Sequence, residues 1–464
     1  MQEILRKIPS VEVLLQDERV AQCAAGIPRR IVVGCLRAAV EQVRAAVKVD
    51  PAGHAGAMAI RDTILERLRQ GIRDAIGPHY RSVVNATGII LHTALGRAAL
   101  PARAIRQIAE ELCGYSLLQA DLASGLRSKR DTRIQWLLQQ LTGCEAATVV
   151  NNNAAATWLV LNAVAAGREV IVSRGQLVEI GGSFRLPDVM AASGAKMVEV
   201  GTTNKTHARD YQRAITENTA AILRVHPSNY TMSGFTAEVP LEELVEIAHA
   251  RGLVLIDDVG AGALLDLSRF GLDVGPTLAD AIRAGADLVT SSADKLIGAS
   301  QGGIILGKAA LIETVRKNQM ARIVRAGKLT LAALEATLLQ FFDEEQAIRE
   351  IPTLRMVCRT LAELDAAAQR IAAGIAQPVS EAAVTVINGA SQMGGGSLPG
   401  QDLPTRLVAV TPATFGPEEL AARLRLHHPP VFTRINKGQV LVDPRTLLDG
   451  DEARLIAAFV EALR

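Results

Sequence analysis

Gly252–Gly262 reads GLVLIDDVGAG. After a turn glycine come four apolar residues without alternation, then two aspartates, then small residues. A short continuous Val/Leu/Ile run bounded by glycine suits a strand buried on both faces, as in a mostly parallel sheet. Successive strand residues point to opposite faces, so only one of Asp257 and Asp258 can look into a given site. Further runs of the same kind stand on either side: EAATVVN, REVIVS, AKMVEVG and AAILRVH upstream, ADLVTSS downstream. Helical stretches separate them from about residue 82 to 330. Strands alternating with helices define an α/β sheet.

Outside this region the texture changes. IVVGCLRAAVEQVRAAVKV and AMAIRDTILERLRQGIRDAI repeat apolar residues at three- and four-residue steps, so residues 1–80 read as a helical module, with a loop in KVDPAGHAGA between the two patterns. Residues 1–81 carry 13 Lys and Arg against 9 Asp and Glu, with Arg29, Arg30, Arg37, Arg44, Arg67, Arg69 and Arg73 prominent. This is either a solvated face or a surface that grips a polyanion in a salt-sensitive way. Residues 331–464 begin with the helical pattern KLTLAALEATLLQFF, which starts at Lys328, and end with strand candidates PVFTRIN and QVLVDPR and the helix DEARLIAAFVEALR, a small α+β domain. ASQMGGGSLPGQDLP reads as a Gly-rich loop. The whole division is 1–80, 81–330 and 331–464.

The chain of 464 residues is 49% hydrophobic and 21% charged, enough for large packed cores and far from a disordered composition. Its net charge of +2 carries no chain-wide signal for nucleic acid. The five scattered cysteines form no C-x-x-C pair or metal spacing, which suits a reducing cytoplasm and gives no metal site. The charged N-terminus MQEILRKIPSVEVLL is unlike a signal peptide, and no apolar run approaches the roughly 18 residues of a membrane span.

Three features fall at the carboxyl ends of expected strands, where open α/β sheets bind ligands. In VVNNNAAATWLVLNAV a strand ends at Val150 and a helix begins near Ala154. Small residues let backbone N–H groups approach an anion at a helix N-terminus, which makes Asn153, Ala154 and Ala155 candidate phosphate ligands. The plainer reading is an Asn-capped helix. Asp257 or Asp258 is either a turn cap or the carboxylate a pyridinium nitrogen needs. In TSSADKLIGASQGG, Lys295 lies 37 residues after Asp258 and three after Ser292. A desolvated lysine among small residues can form a Schiff base with an aldehyde, although a lone strand-end lysine is ordinarily a surface charge. Phosphate turn, strand-end Asp and Ser-x-x-Lys, in that order, resemble pyridoxal 5'-phosphate (PLP) enzymes of fold type I, the aspartate aminotransferase-like class. The helical N-terminal part and small C-terminal domain suit that architecture.

Longer strings narrow the resemblance. LRKIPSVEVLL, NATGIILHTALGRAAL, VVNNNAAA, VSRGQLVEIGGSFRLPDVM, VGTTNKTHARDY, VHPSNYTMSGFT, LTLAALEATL and PPVFTRI resemble bacterial selenocysteine synthase, the L-seryl-tRNA(Sec) selenium transferase family. They span nearly the whole chain. The resemblance implies that Lys295 holds PLP as a Schiff base and that Asp258 pairs with the pyridine nitrogen. Asn153, Ala154, Ala155 and Ser292 would bind the cofactor phosphate. Seryl-tRNA(Sec) would lose water to give an aminoacrylyl intermediate, to which selenium from selenophosphate adds. Arg97, Arg322 and Arg325 match the family's anion-binding arginines, and guanidinium groups suit phosphate oxygens. The N-terminal module would bind the tRNA. The family forms rings, pentamers of dimers, with active sites at dimer interfaces.

The chain departs from the family pattern at Ala94, Gln119, Ala120, Gln176, Val259, Ala261, Ala293, Ala299 and Ser300. Several of these lose polar side chains, which implies a larger, less polar pocket. Two alternatives stay open: a PLP-dependent lyase or transferase acting on a small β-substituted amino acid or sugar acid, and a non-catalytic RNA-binding relative.

Overall fold

The computed structural model describes residues 2–49, 57–181 and 184–464, in two compact units, Met1–Ser82 and Val83–Arg464. In the first unit, helices α1 (Arg29–Val49) and α2 (Ala57–Ile76) pack against each other. Val32, Leu36, Val40, Val43 and Val47 form the buried stripe of α1, spaced three and four apart, and meet Ile60, Ile64, Leu68 and Ile72 of α2. That spacing places them on one helix face, which leaves the arginines on the others. The loop expected over KVDPAGHAGA falls mostly on residues 50–56, outside the described residues.

The second unit holds a seven-stranded sheet. Helix α3 (Thr132–Thr142) leads into β1 (Ala146–Val150), followed by α4 (Asn153–Ala165), β2 (Glu169–Ser173), α5 (Leu186–Ser193), β3 (Lys196–Val200) and β4 (Thr219–Val225). The chain continues through α6 (Leu241–His249), β5 (Val254–Gly260), α7 (Leu278–Arg283), β6 (Leu288–Ser292), β7 (Gly303–Gly307), α8 (Ala309–Lys317) and α9 (Lys328–Leu338). The strand order is β1-β7-β6-β5-β4-β2-β3, parallel except for β7, which runs antiparallel to both neighbours. All six expected strands are present. The seventh, β7, comes from GGIILG, a run too short and too close to the lysine turn to stand out in the sequence.

Helices cover both faces, so the strands need no alternation. Leu223, Val225, Ile256, Leu288 and Ile305 pack toward α4 and α5. Ile222, Leu255, Val289 and Ile304 pack toward α3, α6, α7 and α9.

The C-terminal part adds α10 (Leu361–Ala376), β8 (Ala382–Gln392), β9 (Asp402–Pro412), α11 (Pro417–Leu426), β10 (Arg434–Asn436), β11 (Gln439–Val442) and α12 (Asp451–Ala462). Its sheet is antiparallel in the order β8-β9-β11-β10. The expected loop ASQMGGGSLPGQDLP is corrected at both ends: Ala390–Gln392 closes β8 and Asp402–Pro404 opens β9. Both strands have 11 residues, and they pair over their full length. β8 was not legible because it is an edge strand with mostly half-buried or exposed residues and an internal glycine, so it lacks an apolar signature. A short parallel pair, Val84–Asn85 with Val431–Phe432, ties the start of this unit to its C-terminal part.

Candidate active site

Lys295 sits in the turn between β6 and β7, with only 6% of its surface exposed. The turn is pinned from within: Ala293 N–H donates to the Gly302 carbonyl at 2.9 Å, Ala299 N–H to the Ala293 carbonyl at 2.9 Å, and Gly298 N–H to the Lys295 carbonyl at 3.0 Å. Gly298 has φ +72°, and a Cβ there would come within 2.5 Å of Ile351 Cγ2. Conformation and space therefore both require glycine. Ala293 and Ala299 are fully buried in the main core. At these two positions the small residues fill the packing under the lysine turn rather than widen an open pocket.

No described residue hydrogen-bonds or ion-pairs with the Lys295 amine. Burial lowers its pKa, and Arg97 adds to that, while Asp258 and Asp294 oppose it. The direction of the shift is toward the neutral, nucleophilic form of the amine.

Strand alternation separates the two aspartates. Asp258, 4% exposed, faces α4: its Oδ1 accepts from Asn153 Nδ2 at 2.8 Å and from Gly260 N–H at 3.1 Å, and its Oδ2 accepts from Thr157 Oγ1 at 2.9 Å. Asp257 lies on the opposite face, wholly buried, with Arg224 at 3.1 Å and His226 at 3.4 Å. Burial pushes the Asp257 carboxyl up, but His226 and Arg224 outweigh it and hold the pKa below the ordinary value. Of the two, Asp258 is the one that opposes the lowering of the Lys295 pKa, and its hydrogen bonds place it beside the start of α4.

Asn152 caps α4, its side chain accepting from Ala155 N–H at 2.9 Å. Asn153 directs its amide nitrogen to Asp258, and its Oδ1 is buried without a partner. The capped-helix reading of this turn holds, and the cap occupies the Ala155 N–H; the helix start also lies beside Asp258 through Asn153. Ser292 ends β6, 5% exposed and three residues before Lys295.

The three anion-binding candidates divide. Arg97, in left-handed backbone at φ 63°, donates to Asp294 Oδ2 at 2.7 Å, next to Lys295. Arg322 and Arg325 line a cavity of about 530 Å³ with Lys129, Arg130 and Gln119. The main chain beside them joins the start of α4, Asn151 N–H donating to the Val324 carbonyl at 2.8 Å. Arg97 lines a different, smaller cavity of about 100 Å³. Sequence reasoning missed Thr157, Asp294 and Arg130. Thr157 was findable, since it lies four residues after Asn153 on the same helix face.

These residues fit a pyridoxal phosphate group. Asp258 carries three donors, which leaves one of its roughly four acceptor positions for a ring N–H. Asn153 Oδ1 and Thr290 Oγ1 are buried and unpartnered on elements bordering the site. Lys295 is buried, with no hydrogen-bond or ion-pair partner among the described residues.

A buried lysine in the turn after one strand and a fixed carboxylate at the end of the neighbouring one, in a mostly parallel sheet with helices on both faces, form the arrangement of fold type I, the aspartate aminotransferase-like class. The structure of D-glucosaminate-6-phosphate ammonia-lyase has the same fold, with a TM-score of 0.57 and 21% identity over 84% of this chain and 98% of that one. Likeness in sequence is narrower. Residues 83–448 match the L-seryl-tRNA selenium transferase family and residues 5–44 its selenocysteine synthase N-terminal module. L-seryl-tRNA(Sec) selenium transferase of Geobacter sulfurreducens is 44% identical over 99% of both chains. The protein of the same name from Desulfomicrobium baculatum is 45% identical over 100% of this chain and 99% of its own. The chain belongs to the L-seryl-tRNA selenium transferase family.

Proposed function

We propose that this chain converts seryl-tRNA(Sec) to selenocysteinyl-tRNA(Sec), with selenophosphate as selenium donor and pyridoxal 5'-phosphate as cofactor. The observation that carries the reading is the 44% identity to a selenium transferase across 99% of the chain, N-terminal module included. When bound, pyridoxal phosphate supplies an electron sink for chemistry at the amino-acid α- and β-carbons. The chain's own residues hold and orient. Lys295 presents a desolvated amine that can attach an aldehyde and move a proton at Nζ. Asp258, fixed by Asn153 and Thr157, would keep a ring nitrogen protonated. The start of α4 at Asn153 and Ala154, with Ser292, would hold the cofactor phosphate, the N–H of Ala155 being taken by the Asn152 cap. Arg322 and Arg325 would hold the selenophosphate together with Arg97 of a second copy, since the two groups line different cavities of one chain. The Arg97–Asp294 pair next to Lys295 would keep one cation beside the reacting groups.

In this reading residues 1–80 bind the tRNA, 81–330 hold the cofactor and 331–464 form the small domain. Arg29, Arg30 and Arg37 of α1 have no carboxylate partner among the described residues, which supports a polyanion surface. Tyr115, Leu117, Leu122, Leu126 and Ile323 are exposed by 61% or more, which supports burial against further copies of the chain, in a homo-oligomer of the family's ring type. No described helix is long and apolar enough to cross a membrane, and a tRNA substrate implies a cytoplasmic enzyme.

The test is selenocysteinyl-tRNA formation by the purified, cofactor-loaded protein supplied with seryl-tRNA(Sec) and selenophosphate. No product beside an active family member would reject the proposal. Turnover of free serine or a small sugar acid in its place would point to a lyase instead.

A further inference from the structure

The cavity lined by Arg322 and Arg325 has an unusual charge balance. Two carboxylates line it, and both are committed. Asp131 accepts from Thr148 Oγ1 at 2.6 Å and from Arg316 at 3.0 Å, while Glu313 is taken by Lys129 at 2.9 Å, with Lys317 at 3.9 Å. The remaining cations on its wall are Arg130, Arg322 and Arg325, and none has a carboxylate partner among the described residues.

Arg130 is the best fixed of the three. Its Nη2 donates to Gln119 Oε1 at 2.7 Å and its Nη1 to the Ala326 carbonyl at 3.0 Å. Gln119 is itself held: its Nε2 donates to the Ser128 carbonyl at 3.4 Å, and its main-chain carbonyl accepts from Ser128 N–H at 3.1 Å. Arg130 therefore has a defined position and two neutral acceptors, and it keeps its full charge. Burial lowers its pKa and Arg325 lowers it further; the neighbouring Asp131 opposes this, and Arg127 and Arg322 add smaller lowering effects, so like charges act on it. Such a group of guanidinium ions is unfavourable by itself and becomes favourable when an anion enters.

We propose that Arg130 is a third cationic ligand of the anion site lined by Arg322 and Arg325, and that neutral Gln119 sets the affinity of that site for phosphate-class anions. The proposal rests on the reading above that Arg322 and Arg325 bind an anion. A carboxylate at position 119 would satisfy Arg130 internally and compete with the ligand. An amide holds the same geometry without neutralising it. The phosphate group can belong to a small free anion or to the backbone of an RNA strand.

The experiment titrates the full-length, cofactor-loaded protein calorimetrically with inorganic phosphate and, separately, with a short single-stranded RNA, at low and high salt. Gln119→Glu is the informative variant. It weakens phosphate binding at least tenfold at low salt and less at high salt, because the added charge is partly screened. Its melting temperature stays the same or rises, because it gains an ion pair. Arg130→Gln weakens binding comparably, and Arg130→Lys recovers part of it. A loss confined to the RNA arm assigns the site to nucleic-acid phosphate, and a loss in the phosphate arm assigns it to the small anion. Wild-type protein that binds neither ligand overturns the proposal, as does a Gln119→Glu variant within twofold of wild type in both arms. Anion binding is measured apart from selenium transfer, so a protein that shows the expected binding pattern without forming product rejects the proposed function and leaves this site standing.

Discussion

Asp257 and Asp258 are adjacent on one strand and meet different surroundings. Asp257, fully buried, compensates Arg224, which is itself only 13% exposed, so Asp257→Asn strips a buried cation of its partner. Breaking such a pair costs about 3 kcal/mol or more, and the variant should melt several degrees lower at pH 7. The pH dependence follows from the depressed native pKa of Asp257. Between its native and unfolded pKa values the unfolded chain binds more protons, so the stabilisation is complete above about pH 4 and fades as pH falls through the native value. The melting-temperature gap between wild type and Asp257→Asn should therefore narrow on acidification below about pH 4, and a gap that stays constant would contradict this account. Asp258→Asn should behave in the opposite way. It retains hydrogen-bonding capacity toward Thr157 and Gly260, so the fold survives, but it removes a negative charge that acts on the lysine. Cofactor affinity and turnover should fall about 100-fold or more, as expected when a charge needed in the transition state is removed. Lys295→Ala should abolish the visible absorbance band of lysine-bound pyridoxal phosphate. A variant that keeps the wild-type spectrum would remove Lys295 from the reaction.

At the scale of elements, the site depends on how the lysine turn and the start of α4 are held together. A Cβ at Gly303 would lie 2.1 Å from the Asn152 carbonyl oxygen, so the first residue of β7 is pressed against the cap of α4. Gly298 is confined by Ile351 and by its left-handed backbone. Gly298→Ala should therefore displace the lysine turn, destabilise the protein by about 1–3 kcal/mol, and reduce cofactor affinity more than tenfold in a spectroscopic titration. Unchanged cofactor affinity would show that the turn is looser than its packing implies. The same elements show what the sequence can reveal. GLVLIDDVGAG and ADLVTSS could be read because strands buried on both faces are continuously apolar, and their ends then located Asp258 and Lys295. β8 could not, since an exposed edge strand has no such signature. The hydrogen bond from Asn153 to Asp258 was also hidden, because it joins side chains 105 residues apart and depends on register. The separation of Arg97 from Arg322 and Arg325 was equally out of reach: strings of similar residues show that arginines are present, not which cavity each one lines.

At the scale of the whole molecule, the proposed function gives the two units different electrostatic duties. In the second unit Arg97 beside Lys295 is held by Asp294, whereas α1 presents arginines without carboxylate partners among the described residues. Arg44, Arg69 and Arg73 are partly neutralised by Glu41 and Glu66, at 2.6, 3.8 and 3.6 Å. Among the described residues Arg29, Arg30 and Arg37 are not, and Arg67 is held only by neutral Gln42 at 3.1 Å, so the local excess of positive charge read from the sequence resolves into a smaller set, with Arg29, Arg30 and Arg37 the freest. If that set neutralises tRNA phosphates, replacing all three with glutamine in the full-length protein should weaken tRNA binding at low salt. It should also reduce the slope of log K against log salt by about one for each phosphate no longer neutralised. The cofactor spectrum should not change, because Lys295 belongs to the other compact unit. Binding isotherms at four or five salt concentrations separate the possible results. A parallel downward shift with the slope intact would mean that the arginines act through structure rather than charge. No shift at all would place the tRNA surface elsewhere on the module. A lower slope with an unaltered cofactor spectrum would make the helical unit an electrostatic handle for the nucleic acid and leave the chemistry to Lys295 and its neighbours.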